Sequence, residues 1–303
     1  MTPSADAPPL SPRQWPAWLS IGFGCLIARL PWTLARALGP ALGDLMRLSM
    51  RSRRRAAEIN LALCFPELDA AARERLLRAN FRSLGLSVFE FLRAWWGPLA
   101  PLDRGFELVG AEHVQRVREQ GQGVLLISPH FATLEVCTRL LCRSVPVAGM
   151  YRPHESLALD WAVRHGRLGH ASAMFARDEL RPAIRHLKSG GVLWFAPDQE
   201  TRRGDSVFVP FFGQPAWSLT STHAMARLSG AKVLPLFHER REDGTYRVEI
   251  GAPLENFPGD DAHADTARVM ALIEAQVRRV PAQYLWIHKR FKTQPDGRPS
   301  PYA

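Results

Sequence analysis

His130 and Glu135 stand near the two ends of the segment "SPHFATLE". An imidazole held through one ring nitrogen by a carboxylate keeps its other nitrogen free to take a proton, which makes it a general base. On one continuous helix, residues five apart point about 140° away from each other, and the pair could not meet. Pro129 changes this, because a proline at the strand exit leaves His130 in the turn before regular helix and Glu135 inside it. The two are expected to converge. A histidine at a strand exit is often no more than a satisfied polar group, so the pair needs company to carry an assignment.

Further groups share its edge. Arg152 in "GMYRP" closes a second strand, Arg167 in "HGRLG" lies at a helix end, and Asp198 in "WFAPDQE" follows a third apolar strand. Gln199 and Arg202, in the same 197–206 loop as Asp198, are expected to bind substrate. A base, carboxylates and several cations at converging strand ends suit an anionic, phosphate-bearing substrate. The plain alternatives are surface or helix-terminal charges for Arg152 and Arg167, and a helix N-cap for Asp198.

The elements that must position these residues alternate along the chain. Strands are expected at 123–128, 145–151, 192–196, 232–238 and 246–250, and helices at 134–143, 156–168, 179–189, 220–229 and 264–279. Such alternation predicts an α/β fold with a central, largely parallel sheet flanked by helices, and ligands in such sheets sit beyond the carboxyl ends of the strands. A helical segment over 68–96, apolar at Leu76, Leu77, Phe81, Leu84, Val88 and Leu92, precedes them. Residues 1–14, rich in proline and serine, are expected to be disordered. The uncharged run Trp15 to Ala28 is shorter than the roughly 20 residues of a spanning helix, and no secretory cleavage site follows it. Its tryptophans suit a membrane interface, and "RSRRR" at 51–55 suits an anionic lipid surface. The competing reading is a core hairpin of helices broken at Pro31 and Pro40.

Composition narrows the partners. With 39 Lys and Arg against 29 Asp and Glu the chain carries a formal charge of +10, which favours nucleic acid, anionic lipid or an acidic protein. No nucleic-acid motif is present. The four cysteines form no C-x-x-C pair, so no structural zinc and a reducing compartment are expected. Nucleophile-elbow, phosphate-loop, zincin and dinucleotide motifs are all absent.

The ordered series "RRRAAEINLALCFPEL", "SPHFATLE", "GMYRP", "HGRLG", "FAPDQE", "SVFVPFFG" and "QYLWIHKRFKTQPDG" resembles the late acyltransferases of lipid A biosynthesis, the lauroyl and myristoyl transferase group within the lysophospholipid acyltransferase superfamily. The resemblance runs from about Trp18 to Tyr302. It implies that His130 is the catalytic base and Glu135 its orienting carboxylate, that Arg167 and Asp198 are further essential positions, and that Arg152 contacts an acceptor phosphate. It implies an acyl donor carried as a thioester on acyl carrier protein, a lipid A precursor as acceptor, contact with membrane lipids at the cytoplasmic face of the inner membrane, and neither metal nor cofactor. Residues 1–49 would be a tail and membrane-anchoring segment, and 50–303 the acyltransferase domain. Glu135 stands where much of the superfamily has Asp, and "PDQE" replaces the block of glycerol-phosphate acyltransferases, which lowers that acceptor on the list. The alternatives are acyl transfer to a lysophospholipid, ornithine lipid or glycolipid and, outside enzymes, a basic membrane-surface binding protein.

Overall fold

A computed structural model of the chain describes residues 7–201 and 204–303. Four helices lead: α1 (Trp15–Ile27), α2 (Trp32–Ser49), α3 (Arg51–Cys64) and α4 (Ala70–Trp96). Asp69 starts α4 by accepting the Ala72 N–H at 2.6 Å, a side-chain N-cap that serves one of the unpaired amides of the first turn. Leu77, Phe81 and Leu84 follow at helical spacing and are buried, so one face of α4 is core. The helix stops at Gly97, ahead of Pro98.

Pro31 separates α1 from α2 as the sequence predicts, but Pro40 does not break α2, which runs through it. The compensation is packing. Ala35, Gly39 and Gly43 form a small-residue stripe on α2 that is buried against α4. A Cβ added at Gly85 of α4 would run into Gly39 O and the Gly43 backbone, so the two helices touch main chain to main chain. Of the tail expected to be disordered, residues 1–6 lie outside the described residues and 7–14 lead into α1. Trp18 Nε1 donates to Pro9 O at 2.8 Å, and residues Pro12–Gln14 form a 3-10 turn.

After the short α5 (Ala100–Asp103) the chain alternates: β1 (Glu107–Val109), α6 (Ala111–Glu119), β2 (Val124–Ile127), α7 (Leu134–Leu141), β3 (Val147–Tyr151), α8 (Leu157–Leu168), β4 (Met174–Ala176), α9 (Leu180–Lys188) and β5 (Val192–Phe195). A hairpin, β6 (Ser206–Phe211) and β7 (Gln214–Leu219), stands apart as a two-stranded sheet. Then come α10 (Ser221–Ser229), β8 (Lys232–Arg240), β9 (Tyr246–Ile250) and α11 (Ala262–Arg279).

The main sheet has seven strands in the order β1-β9-β8-β2-β5-β3-β4, all pairs parallel except β8 with β9. The mixed α/β class with a largely parallel sheet is thus the observed architecture. β2 is central and buried along its whole length, which is why it reads as an unbroken apolar run rather than an alternation. Register does the rest. Ile127 of β2 is paired with Phe195 of β5, so both strands end level, and the residues three positions further on, His130 and Asp198, leave the sheet side by side.

Candidate active site

The turn between β2 and α7 is held almost atom by atom. The Phe131 N–H is donated to Pro129 O at 3.0 Å, closing a tight turn at the proline. The Leu285 N–H reaches His130 O at 3.1 Å, and the Ala132 N–H reaches Gln283 O at 2.7 Å. Residues 281–288 therefore brace the turn from a segment some 150 positions away in sequence.

His130 faces Asp198. The ring Nδ1 lies 2.5 Å from Asp198 Oδ1, while Asp198 Oδ2 accepts the His130 backbone N–H at 2.9 Å. Asp198 is wholly buried, whereas 26% of the His130 side chain is exposed. Burial alone would raise the Asp198 carboxyl, but the charge of His130, its two hydrogen bonds and that of Tyr284 outweigh it and hold the group down at about 2. Asp198 is therefore an ionised carboxylate, and with Nδ1 engaged, His130 Nε2 is the nitrogen left for a substrate.

This corrects the expected pairing of His130 with Glu135. Glu135 sits in the first turn of α7 and turns away toward α4 and α8. Its Oε2 accepts from Trp95 Nε1 at 2.7 Å and from Arg167 Nε at 3.2 Å, and its Oε1 accepts from Arg167 Nη2. The strand register brings Asp198, not the next helix, to the histidine. Arg167, in the last turn of α8, is pinned further by the Trp95 ring, 5.6 Å from its guanidinium carbon. The carboxylate and the aromatic ring together fix one fork of the guanidinium and leave the remaining donors for other partners.

These groups open on one cavity of about 490 Å³. His130, Glu135, Arg152 and Arg167 line it, together with apolar side chains such as Leu84, Phe91, Met150 and Ile287. Arg152 is exposed. His170 also lines the cavity, and burial pushes its imidazole down to about 4, so it stays neutral near pH 7. Gln199 is half-buried and is not among the lining residues, and Arg202 lies outside the described residues. The structure thus brings His130 to Asp198 and Glu135 to Arg167 as two separate pairs on one cavity. Trp95 was not singled out from sequence, and the quoted segment that opens at Gln283 was given no role for Tyr284 or for bracing the turn. Trp95 carried no signal beyond its "WWGP" helix end.

The buried Asp198 carboxylate paired with His130, at the carboxyl edge of a parallel sheet and beside a largely apolar cavity that two arginines also line, is an arrangement capable of general-base chemistry. The bacterial lipid A biosynthesis acyltransferase family matches residues 4–293, and the chain belongs to that family. Among its relatives, the lipid A biosynthesis lauroyltransferase of Escherichia coli (strain K12) is 38% identical over 97% of this chain and 96% of its own. The palmitoleoyltransferase of the same organism is 37% identical over the same shares. A crystal structure of the 1-acyl-sn-glycerophosphate acyltransferase of Thermotoga maritima overlays with a TM-score of 0.37 and 14% identity, covering 84% of this chain and all of that chain, a likeness too distant to inform the site. The chain is an acyltransferase of lipid A biosynthesis.

Proposed function

We propose that the protein moves a fatty acyl group from the thioester of acyl carrier protein to a hydroxyl of a lipid A precursor, with His130 as general base. The observation that carries this is the 2.5 Å contact of His130 Nδ1 with the buried carboxylate of Asp198 at the wall of an apolar cavity. The acceptor O–H gives its proton to Nε2 as the oxygen bonds to the thioester carbon. The C–S bond then breaks, and the departing thiolate takes the proton back from the imidazolium. Asp198 fixes the ring tautomer and offsets the charge that develops on it. Glu135 holds Arg167, which presents donors to the developing oxyanion or to a substrate phosphate, and Arg152 at the cavity lining adds a second cation for an anionic acceptor. A thioester is already a good leaving group, so positioned base catalysis of ~10²–10⁴-fold, with orientation of the two substrates, is an adequate share of the rate.

Membrane contact at the cytoplasmic face of the inner membrane belongs to the same proposal. Among the described residues no helix is long and apolar enough to cross a membrane. On α1, however, Trp15, Leu19, Phe23 and Leu26 lie along one face and are exposed, as are Leu45 and Leu48 of α2. Arg51, Arg53 and Arg55 follow at once, also exposed. An exposed apolar stripe joined to a basic cluster gives the two signals that stable surface anchoring needs. The basic surplus also suits an acidic carrier protein.

The test is to incubate the purified protein in detergent with acyl carrier proteins loaded with chains of several lengths and with candidate acceptors, reading product mass. A lipid A precursor heavier by one acyl group, absent with His130→Ala, is the expected result. Transfer only to lysophospholipid or other lipids would overturn the acceptor, and undiminished transfer by His130→Ala would overturn the base.

A further inference from the structure

β2 ends at Ile127, opposite Pro235 of β8, but β8 continues to Arg240. Its last residues therefore run alongside the turn that carries His130. His238 lies there, 2% exposed. Its Nδ1 is 3.0 Å from Thr133 Oγ1, and its ring meets Phe131 edge-on with centroids 5.4 Å apart. Thr133 is wholly buried and is the residue from which α7 starts.

The contact differs from the other anchors of the turn. Asp198, Gln283 and Leu285 grip the backbone at His130 and Ala132. The bond from Thr133 grips the other end, where the turn becomes helix, side chain to side chain, while the His238 ring also meets the Pro129 backbone at the start of the turn. His238 does not line the substrate cavity, so it does not touch the reacting atoms. Burial, reinforced by the nearby charge of His130, pushes its imidazole down to about 3, which keeps it neutral throughout the working range. A neutral partner adds no competing charge beside the His130–Asp198 pair.

We propose that His238 is a positioning residue for acyl transfer: through Thr133 it fixes where the turn at 128–133 passes into α7, and so holds His130 against Asp198 and Glu135 against Arg167 together. The proposal rests on the reading of His130 as general base. Because the two pairs hang from opposite ends of one short turn, a slip at Thr133 misplaces both. Displacement of a catalytic group by about 1 Å costs up to ~100-fold in rate.

The experiment uses the full chain with dodecanoyl acyl carrier protein and a lipid A precursor in detergent micelles, comparing His130→Ala, His238→Leu, His238→Asn, Thr133→Val and the double variant His238→Leu with Thr133→Val. Asparagine places a polar atom where Nδ1 was, and leucine does not. His238→Leu and Thr133→Val should each lower kcat by ~10- to 100-fold with both KM values within about threefold, since the substrates themselves lose no contact. The double variant should be no worse than the poorer single one, and His238→Asn should recover to within about threefold of wild type. If His238→Leu loses its cooperative thermal transition, Thr133→Val and His238→Asn decide the matter by the same criteria. Thr133→Val within about threefold of wild type, His238→Asn as poor as His238→Leu, or losses that multiply in the double variant would overturn the assignment. Intact His238→Leu beside inactive His130→Ala overturns this inference alone, whereas active His130→Ala overturns the general base and this inference with it.

Discussion

Replacing Asp198 with asparagine keeps the shape of the side chain and inverts the hydrogen bonding around His130. The carboxylate now accepts from His130 twice, from Nδ1–H at 2.5 Å and from the backbone N–H at 2.9 Å, beside the hydrogen bond from Tyr284. An amide offers one acceptor and one donor. If its oxygen keeps the backbone N–H, its NH₂ faces Nδ1, the ring proton moves to Nε2, and the nitrogen that should take the substrate's proton becomes a donor. If its oxygen keeps Nδ1–H instead, the NH₂ opposes the backbone N–H, and two buried donors face each other at a cost of about 1–3 kcal/mol. The first arrangement is the one expected, and the comparable wrong-tautomer substitution in the serine protease triad costs about 10⁴ in kcat. A loss of ~10³–10⁴-fold, or about 4–5.5 kcal/mol in the barrier, is therefore expected here. Initial rates at saturating donor and acceptor measure it, a thermal melt establishes that the variant is folded, and nitrogen NMR of the histidine reads the tautomer. Glu135→Gln, which leaves the ring's own partner in place, should show no tautomer change. A folded Asp198→Asn enzyme with kcat within about tenfold of wild type would refute the pairing as the source of basicity.

Arg167→Ala and Arg152→Ala should separate kinetically: a cation that binds phosphate equally in ground and transition states raises the acceptor KM with kcat largely kept, and one at the reacting carbonyl lowers kcat, so wild-type kinetics would return either residue to the surface. Leu19→Ser with Phe23→Ser should reduce flotation of the folded protein with anionic liposomes, because both side chains are exposed and contribute nothing to the core; unchanged flotation refutes anchoring through α1. Gly85→Ala should destabilise by about 1–3 kcal/mol through overpacking against α2, seen as a lowered Tm, and an unchanged Tm would contradict the main-chain contact. Asp198 is held at about 2, below its ordinary 3.8, so its contribution to stability, about 2–3 kcal/mol, is complete above the ordinary value and is lost as pH falls toward 2. The stability gap between wild type and Asp198→Asn should therefore narrow between about pH 4 and pH 2, and a constant gap over that range would contradict the shift.

Much of this was legible in the chain. The parallel strands announce themselves as short apolar runs because they are buried on both faces, and the helices between them by their spacing. The placement of His130, Arg152 and Asp198 just past strand ends followed from the apolar runs, and that of Arg167 from a helix end. Which carboxylate meets the histidine did not, since it depends on β2 and β5 being neighbours, a fact of sheet order that no local pattern records. The brace at 281–288 was hidden for a similar reason: it works through backbone groups, which every residue possesses. The hairpin of β6 and β7 escaped because Pro210 and Pro215 argue against strand, yet both fall on a two-stranded ribbon whose free edges tolerate a missing amide. Pro40 misled in the opposite direction, as the glycines around it let α2 press against α4 closely enough to carry the lost hydrogen bond.

That contact reaches beyond stability. Gly85 meets Gly39 and Gly43, and the residues directly around it on α4, Leu84, Ser87 and Val88, form part of the cavity wall. A backbone-to-backbone crossing leaves no layer of side chains between them, so α2 bears directly on the helix that forms part of the cavity wall. If α2 rests on lipid, the reaction centre then rides at a set height above the acyl tails, as on a keel. The bilayer would meet the enzyme with a fixed geometry, and an acceptor anchored in that bilayer would offer only those hydroxyls that stand at this height. Choice among chemically similar hydroxyls would then come from depth as well as from recognition, and softening the crossing would blur regiochemistry before it abolished turnover.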